Sequence, residues 1–304
     1  MIKASFRFLL NIKQCWPLYL MVLPGITFFI IFKFIPIGGS IIAFQNYSIF
    51  KGITDSPWVG FNNFKLLLDS PDFYRVFTNT LLLGLLKVAI IFPVPIVLAL
   101  LINEVRFVLL KKGVQTALYI PHFMSWVIIS GITFDIFSLN GIFNTVLDWF
   151  GFEPSLVMQQ EKYFRWIYVL TGIWRDAGWG TIVYLAAISS MDPGIYESAL
   201  VDGASRFKQM IKITLPLLLP TVVVLFLLDI GNFLELGFDQ VFNLLTPMTY
   251  SVGDIIDTYV YRTGIQEARY SFATAVGLFQ AIIGFVLVLI FNRLSKKVSD
   301  EGLW

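Results

Sequence analysis

At 304 residues, with 57% hydrophobic and only 14% charged side chains, the chain has too little polar surface for a soluble domain. Its mean hydropathy of +0.76 requires that much of it face lipid, and a formal net charge of +2 without a dense Lys/Arg run excludes a nucleic-acid binder. One cysteine, Cys15, and one histidine, His122, exclude an internal disulfide framework and a zinc site built from such ligands.

In chain order, Lys3, Arg7 and Lys13 precede an apolar block over 17–44. That block is too long for a signal-peptide core and lacks a small-residue cleavage site, which predicts a retained first span. Further segments of the required length follow at 77–102, 114–137, 164–189, 210–234 and 272–291. All are expected to be helices, because an open strand leaves its backbone unsatisfied in lipid and no ten-residue alternation is present. The expected fold class is therefore an all-α polytopic membrane protein of six transmembrane helices. A single domain over 1–304 is expected, with its core at about 75–295 and a first span and outer loop in 1–74.

Basic residues set the direction. Lys3, Arg7, Lys13, Arg106, Lys111, Lys112, Arg206, Lys208, Lys212, Arg293, Lys296 and Lys297 flank the spans on one side. Only Lys51, Lys65, Arg75, Lys162, Arg165, Arg262 and Arg269 lie in the longer opposite loops at about 45–75, 138–163 and 235–271. The positive-inside rule then places both termini, and the connector after the fourth span, in the cytoplasm of a plasma membrane.

That connector carries helix start and stop signals of its own. Asp192 can cap, Pro193 suits the first helical position, and Gly203 can end the helix in a left-handed turn. Over 193–202, Tyr196, Ala199 and Leu200 recur at three- and four-residue spacing and are expected on one face. Small Ser198 and Ala199 permit close approach by another backbone, and Glu197 offers an acceptor. Pro216 and Pro220 should bend or stiffen the start of the fifth span.

Ionisable residues inside spans are costly and count as functional candidates. In the fourth span Arg175 and Asp176 either pair with each other or line a wet cavity, where Trp174 and Trp179 would offer flat faces to a pyranose. At the end of the fifth span Asn232 and Glu235, three residues apart, can face the same way. Asp229 and Asp239 nearby either join them or pair with a partner subunit. Lys87 is expected to pack beside Pro93 and Pro95, and His122 to complete a hydrogen-bond network.

The order Glu197-Ser198-Ala199, three residues, Gly203, nine residues, Ile213, one residue, Leu215-Pro216 resembles the coupling loop of type I ABC importer permeases, with serine for the usual second alanine. Asp202-Gly203-Ala204 resembles the carbohydrate (maltose-type) class. The stretches 254–262 and 270–277 and the ending Gly302-Leu303-Trp304 look like the LplB subgroup, whose members import polysaccharide-derived oligosaccharides in Gram-positive bacteria. The resemblance implies a MetI-like fold and a role for Tyr196, Glu197, Ser198, Ala199, Leu200, Asp202, Gly203, Ala204, Ile213, Leu215 and Pro216 in coupling to an ATPase. By the same resemblance Arg175, Asp176, Trp179, Asn232 and Glu235 are the substrate-binding candidates.

The chain has no Gly-x-x-x-x-Gly-Lys-Ser/Thr phosphate loop, so it is expected to bind no cofactor and to catalyse nothing; ATP and Mg would act on separate subunits. The implied partners are a second homologous permease, two cytoplasmic ABC ATPases, an extracellular solute-binding lipoprotein, the oligosaccharide and membrane lipid. A permease for a non-sugar solute is the nearest alternative. An ion-coupled secondary transporter is further away, since neither an inverted repeat nor a coupling-ion site is present.

Overall fold

A computed structural model describes the backbone of residues 2–231 and 233–299 and the side chains of 16–231 and 233–293. Among the described residues helix is the only regular secondary structure, and the one strand-like contact is an isolated bridge between Gln45 and Trp58. Four helices are long and apolar enough to cross a membrane: α1 (Trp16–Phe44), α2 (Pro71–Glu104), α7 (Arg206–Gly231) and the Tyr270–Arg293 part of α10 (Tyr270–Ser299). A fifth candidate is a broken pair, α3 (Val108–Phe123) and α4 (Trp126–Ile136), bent by 104°. The segment expected as one span at 114–137 is thus split, because Met124 and Ser125 are extended and Ser125 caps the new helix through Ile128 N–H.

The segment expected at 164–189 lies within α5 (Glu161–Ser189), a 29-residue helix that carries Arg175 and Asp176 near its middle. Those charges, with Glu161, Lys162 and Arg165 near its start, set α5 apart from the more apolar helices. It lies instead at the centre of the bundle. α5 packs along α2, and Gly178 lets it approach α3 closely: a Cβ there would collide with the backbone oxygen of Leu118. By contrast, the apolar window of α1 buries nothing against the rest of the chain.

Three apolar clusters tie the helices together. One, with Ala99, Tyr184, Ile188 and Leu218, joins α2, α5 and α7 beside the short helix α6 (Pro193–Val201). The other two lie toward the opposite end. Leu83, Phe164, Tyr168, Val241 and Leu244 hold α8 (Phe238–Leu244) against α2 and α5. Phe73, Val76, Ile256, Phe272 and Val276 hold α9 (Ile256–Tyr261) against α2 and α10.

The 235–271 segment is fixed by a buried ion pair. Asp254, fully buried, accepts from both terminal nitrogens of Arg262 at 3.2 and 2.6 Å and from Thr258 Oγ1 at 2.8 Å. The guanidinium lies over the Tyr250 and Tyr259 rings, and its bond to Asp254 pushes its pKa up. Asn79 of α2 donates to the Ser251 and Asp254 carbonyls, which anchors the segment to the bundle.

Wide π turns interrupt the helices at Ile30–Phe34, Lys87–Ile91, Met210–Thr214 and Arg262–Gln266. The first three each end two residues before a proline: Pro36, Pro93 and Pro216. A proline ring clashes with the carbonyl four residues back in a regular helix, and the widened turn moves that carbonyl aside. At Pro216 the expected disturbance of the span therefore takes the form of an inserted residue, with Leu215 N–H bonding to the Met210 carbonyl.

Candidate functional site

Two places hold the residues singled out in the sequence. The first is the connector between α5 and α7. Asp192 Oδ1 accepts from Gly194 N–H at 2.9 Å, and Pro193 occupies the first turn of α6. The helix stops in a Schellman motif: Ala204 N–H bonds to the Ala199 carbonyl at 2.9 Å and Gly203 N–H to the Leu200 carbonyl at 3.0 Å. Gly203 has φ +70°, a left-handed conformation that side chains with a Cβ rarely adopt. Ser205 then caps the return into α7 through Lys208 N–H, and Gln209 donates to the Ala204 carbonyl.

The expected shared face of Tyr196, Ala199 and Leu200 is divided. Tyr196 is half-buried and turns back onto the bundle, its hydroxyl 3.0 Å from that of the buried Thr214 and in contact with Met191 Sδ. Leu200 and Val201 are 69% and 87% exposed, and Glu197, Ser198 and Asp202 are exposed beside them. α6 buries no residue of its own. It is a capped, anchored helix with an open outer face.

The second place is a cavity of about 270 Å³ whose walls include Lys87, Trp126, Arg175, Asp176, Glu235 and Gln240. The two sequence alternatives for Arg175 and Asp176 hold together: they pair, at 2.8 Å, and they line the cavity. Arg175 Nε also donates to the Met124 carbonyl at the α3–α4 break, and its guanidinium lies 4.7 Å from the Trp126 ring centre. Asp176 Oδ1 reaches His122 Nδ1 at 3.0 Å, the network expected for that histidine.

Trp179 lies outside this wall. It stacks on His122 at 4.6 Å with planes 3° apart and meets Phe123 edge-on, so it braces the end of α3. Glu235 is exposed at the rim, where Gly237, with φ +86°, turns the chain into α8. Glu235 and Gly237 also line a second cavity of about 710 Å³ along α10, together with Asp257 and Gln280. Burial pushes the Asp257 carboxyl up, partly offset by the hydrogen bond from Gln280 Nε2 at 3.0 Å. Asn232 lies outside the described residues.

Sequence reasoning did not put Lys87, Trp126 or Gln240 in this wall. Lys87 was visible as a lone cation in an apolar segment. It pairs with Asp229 of α7 at 2.9 Å, so Asp229 finds its partner within this chain. Gln240 donates to the Tyr168 carbonyl and to Thr171 Oγ1, across a gap that Gly172 keeps open. It carried no signal, since it sits in a segment expected to be an outer loop.

Comparison with known proteins places this geometry. Residues 73–300 match the family described as binding-protein-dependent transport system inner membrane component. The chain belongs to that family. This permease is 48% identical to the polygalacturonan/rhamnogalacturonan transport system permease protein YteP of Bacillus subtilis, over 98% of this chain and 93% of that one. It is 44% identical to protein LplB of the same organism, over 94% and 91% of the two chains. Among solved structures, a bacterial ABC transporter that imports the acidic polysaccharide alginate matches with TM-score 0.90 and 43% identity, over 96% of this chain and 99% of the other. A second structure of an alginate transporter, in complex with an alginate pentasaccharide-bound periplasmic protein, matches with TM-score 0.89. The permease is thus a carbohydrate-type ABC transport component with a MetI-like fold, and a membrane subunit rather than an enzyme.

Proposed function

We propose that this chain is one of two permease subunits that together carry an oligosaccharide across the plasma membrane of a Gram-positive bacterium by alternating access. The observation that carries the reading is one polar cavity, walled by Arg175, Asp176, Trp126 and Gln240, in a chain 48% identical to a sugar permease. An arginine fork and a carboxylate suit sugar hydroxyls, and an indole face suits the apolar side of a pyranose. The cavity is smaller than the usual ligand pocket, which fits a half-site completed by a second, similar permease.

In this reading the chain is a single domain of six spans, with α3–α4 and α5 each counted as one. Both termini and α6 face the cytoplasm. There α6 docks its exposed Leu200–Val201 end and Glu197 on one of two ABC ATPases. A solute-binding lipoprotein delivers the glycan at the opposite face. ATP-driven closure of the ATPases pulls α6, and the Tyr196–Thr214 contact passes that pull to α7 and so to Asp229, the ion-pair partner of Lys87 in the cavity wall.

The deciding experiment replaces Glu197 by Ala and, separately, Gly203 by Val in the assembled importer. Both variants should insert normally, retain basal ATP hydrolysis, and lose glycan uptake by tenfold or more. Unchanged uptake in both would refute the docking role.

A further inference from the structure

The segment between α4 and α5 holds an eight-residue helix, Ile142–Trp149, that neither the cavity nor the connector uses. Its Asn144 is buried and clasps the loop shut. The amide donates to the Ser138 and Ser155 carbonyls at 2.8 and 3.0 Å, and its oxygen accepts from Ser155 N–H at 3.0 Å. Phe143 packs on the apolar cluster of Leu83 and Tyr168 and against the Phe137 ring. The helix ends in a Schellman motif, with Phe152 N–H on the Leu147 carbonyl at 3.1 Å and Gly151 N–H on the Asp148 carbonyl at 2.9 Å. Its outward side is therefore fixed in place and cannot fold under.

Successive residues stand about 100° apart around a helix, which divides this one into three sectors. Buried Asn144 and half-buried Phe143 and Leu147 face the bundle. Thr145 and Asp148 form an exposed polar sector, and Asp148 is in no ion pair among the described residues. The third sector is apolar and open: Ile142, Trp149 and Phe150 are 73%, 77% and 75% exposed, with Val146 between them and exposed Phe152 just beyond. A helix with one side for protein, one for water and one for apolar matter suits the line where a membrane surface meets a protein.

α5 sets the level of that line. Its 29 residues span about 43 Å, close to the about 40–45 Å of a bilayer with its headgroups. One end of α5 leads to α6, so the other, which this loop joins, lies at headgroup depth on the opposite membrane face. Tryptophan and other aromatic side chains favour that depth. A soluble binding protein is a poorer occupant, because it docks and leaves, and the apolar sector would then face water between visits.

We infer that Ile142–Trp149 is an interfacial helix, laid in the headgroup–acyl boundary of the lipid with Trp149, Phe150 and Phe152 as its anchors. Such a helix sets the depth of the α4–α5 junction in the membrane.

The test uses the assembled importer in nanodiscs of phosphatidylethanolamine and phosphatidylglycerol, in a Cys15→Ser background. Bimane is attached at Val146→Cys, Asp148→Cys or Trp149→Cys. It is quenched from the lipid by a phospholipid spin-labelled near the headgroup end of its chains, and from water by iodide. Lipid quenching at positions 146 and 149 should exceed that at 148 by about threefold, iodide should show the reverse order, and added binding protein should change neither. Should Trp149→Cys fail to assemble, Ile142→Cys takes its place. Iodide quenching equal at all three positions would put the helix in water and overturn the inference. Protection of positions 146 and 149 from both quenchers would assign the face to the second permease, and protection only on adding the binding protein would make it that protein's dock; either would overturn it.

Discussion

At the scale of single residues, the contact that matters most for transmission is Tyr196 to Thr214. Thr214 is 3% exposed, so losing its partner leaves a buried hydroxyl, at a cost of about 1–3 kcal/mol. Tyr196→Phe keeps the ring and removes that bond together with the weaker hydroxyl contact to Met191 Sδ. It is expected to leave assembly intact and raise the number of ATP molecules hydrolysed per glycan imported, which proteoliposome assays measure directly. Trp179 and His122 show the opposite relation between appearance and role. A tryptophan beside two charged residues in a span suggests a sugar platform, and the parallel stack on His122 occupies one of its two faces within the protein. Trp126, the first residue of α4 and silent in the sequence, is the indole at the cavity.

At the scale of elements, the stretch 254–262 holds its own segment of the fold together. Asp254 and Arg262, eight residues apart, close a bidentate pair across α9. Arg262→Gln strands a fully buried carboxylate and should cost about 3–5 kcal/mol, seen as a large fall in the thermal midpoint of the purified importer. Asp257, on the same helix, gives a pH-dependent counterpart. Its pKa in the folded protein is raised above the ordinary value of 3.8, so the folded state holds this proton more tightly than the unfolded one. Stability from this group is therefore greatest at low pH and falls as pH climbs from 3.8 through the raised value. Asp257→Asn keeps an acceptor for Gln280 and should remove that slope, as thermal unfolding at a series of pH values would show.

At the scale of the whole molecule, the apolar segments, the capped connector and the family were legible in the sequence, because each rests on local pattern. The stop at Gly203, the cap at Asp192 and the pairing of Arg175 with Asp176 follow from neighbours in the chain. What was not legible depends on distance along the chain: Lys87 meeting Asp229, Gln240 reaching α5, and the 104° bend that brings Trp126 to Arg175. Orientation is a whole-molecule property that labelling can check. In a Cys15→Ser background, Lys51→Cys should react with a membrane-impermeant maleimide in intact cells, and Lys208→Cys only after permeabilisation. The reverse pattern would invert the topology.

The three π turns that precede Pro36, Pro93 and Pro216 have a consequence for which side chains face inward. Each wide turn holds one residue more than a regular turn, and deleting that excess rotates everything beyond it by about 100°. Each of these three prolines disfavours the regular turn before it, and so biases the phase of the helix it interrupts. Pro93 and Pro216 thereby fix the angular setting between the two ends of α2 and of α7, and with it the alignment of Lys87 and Asp229. Loss of a single proline would then re-index one helix, changing together all the side chains that helix turns toward its neighbours.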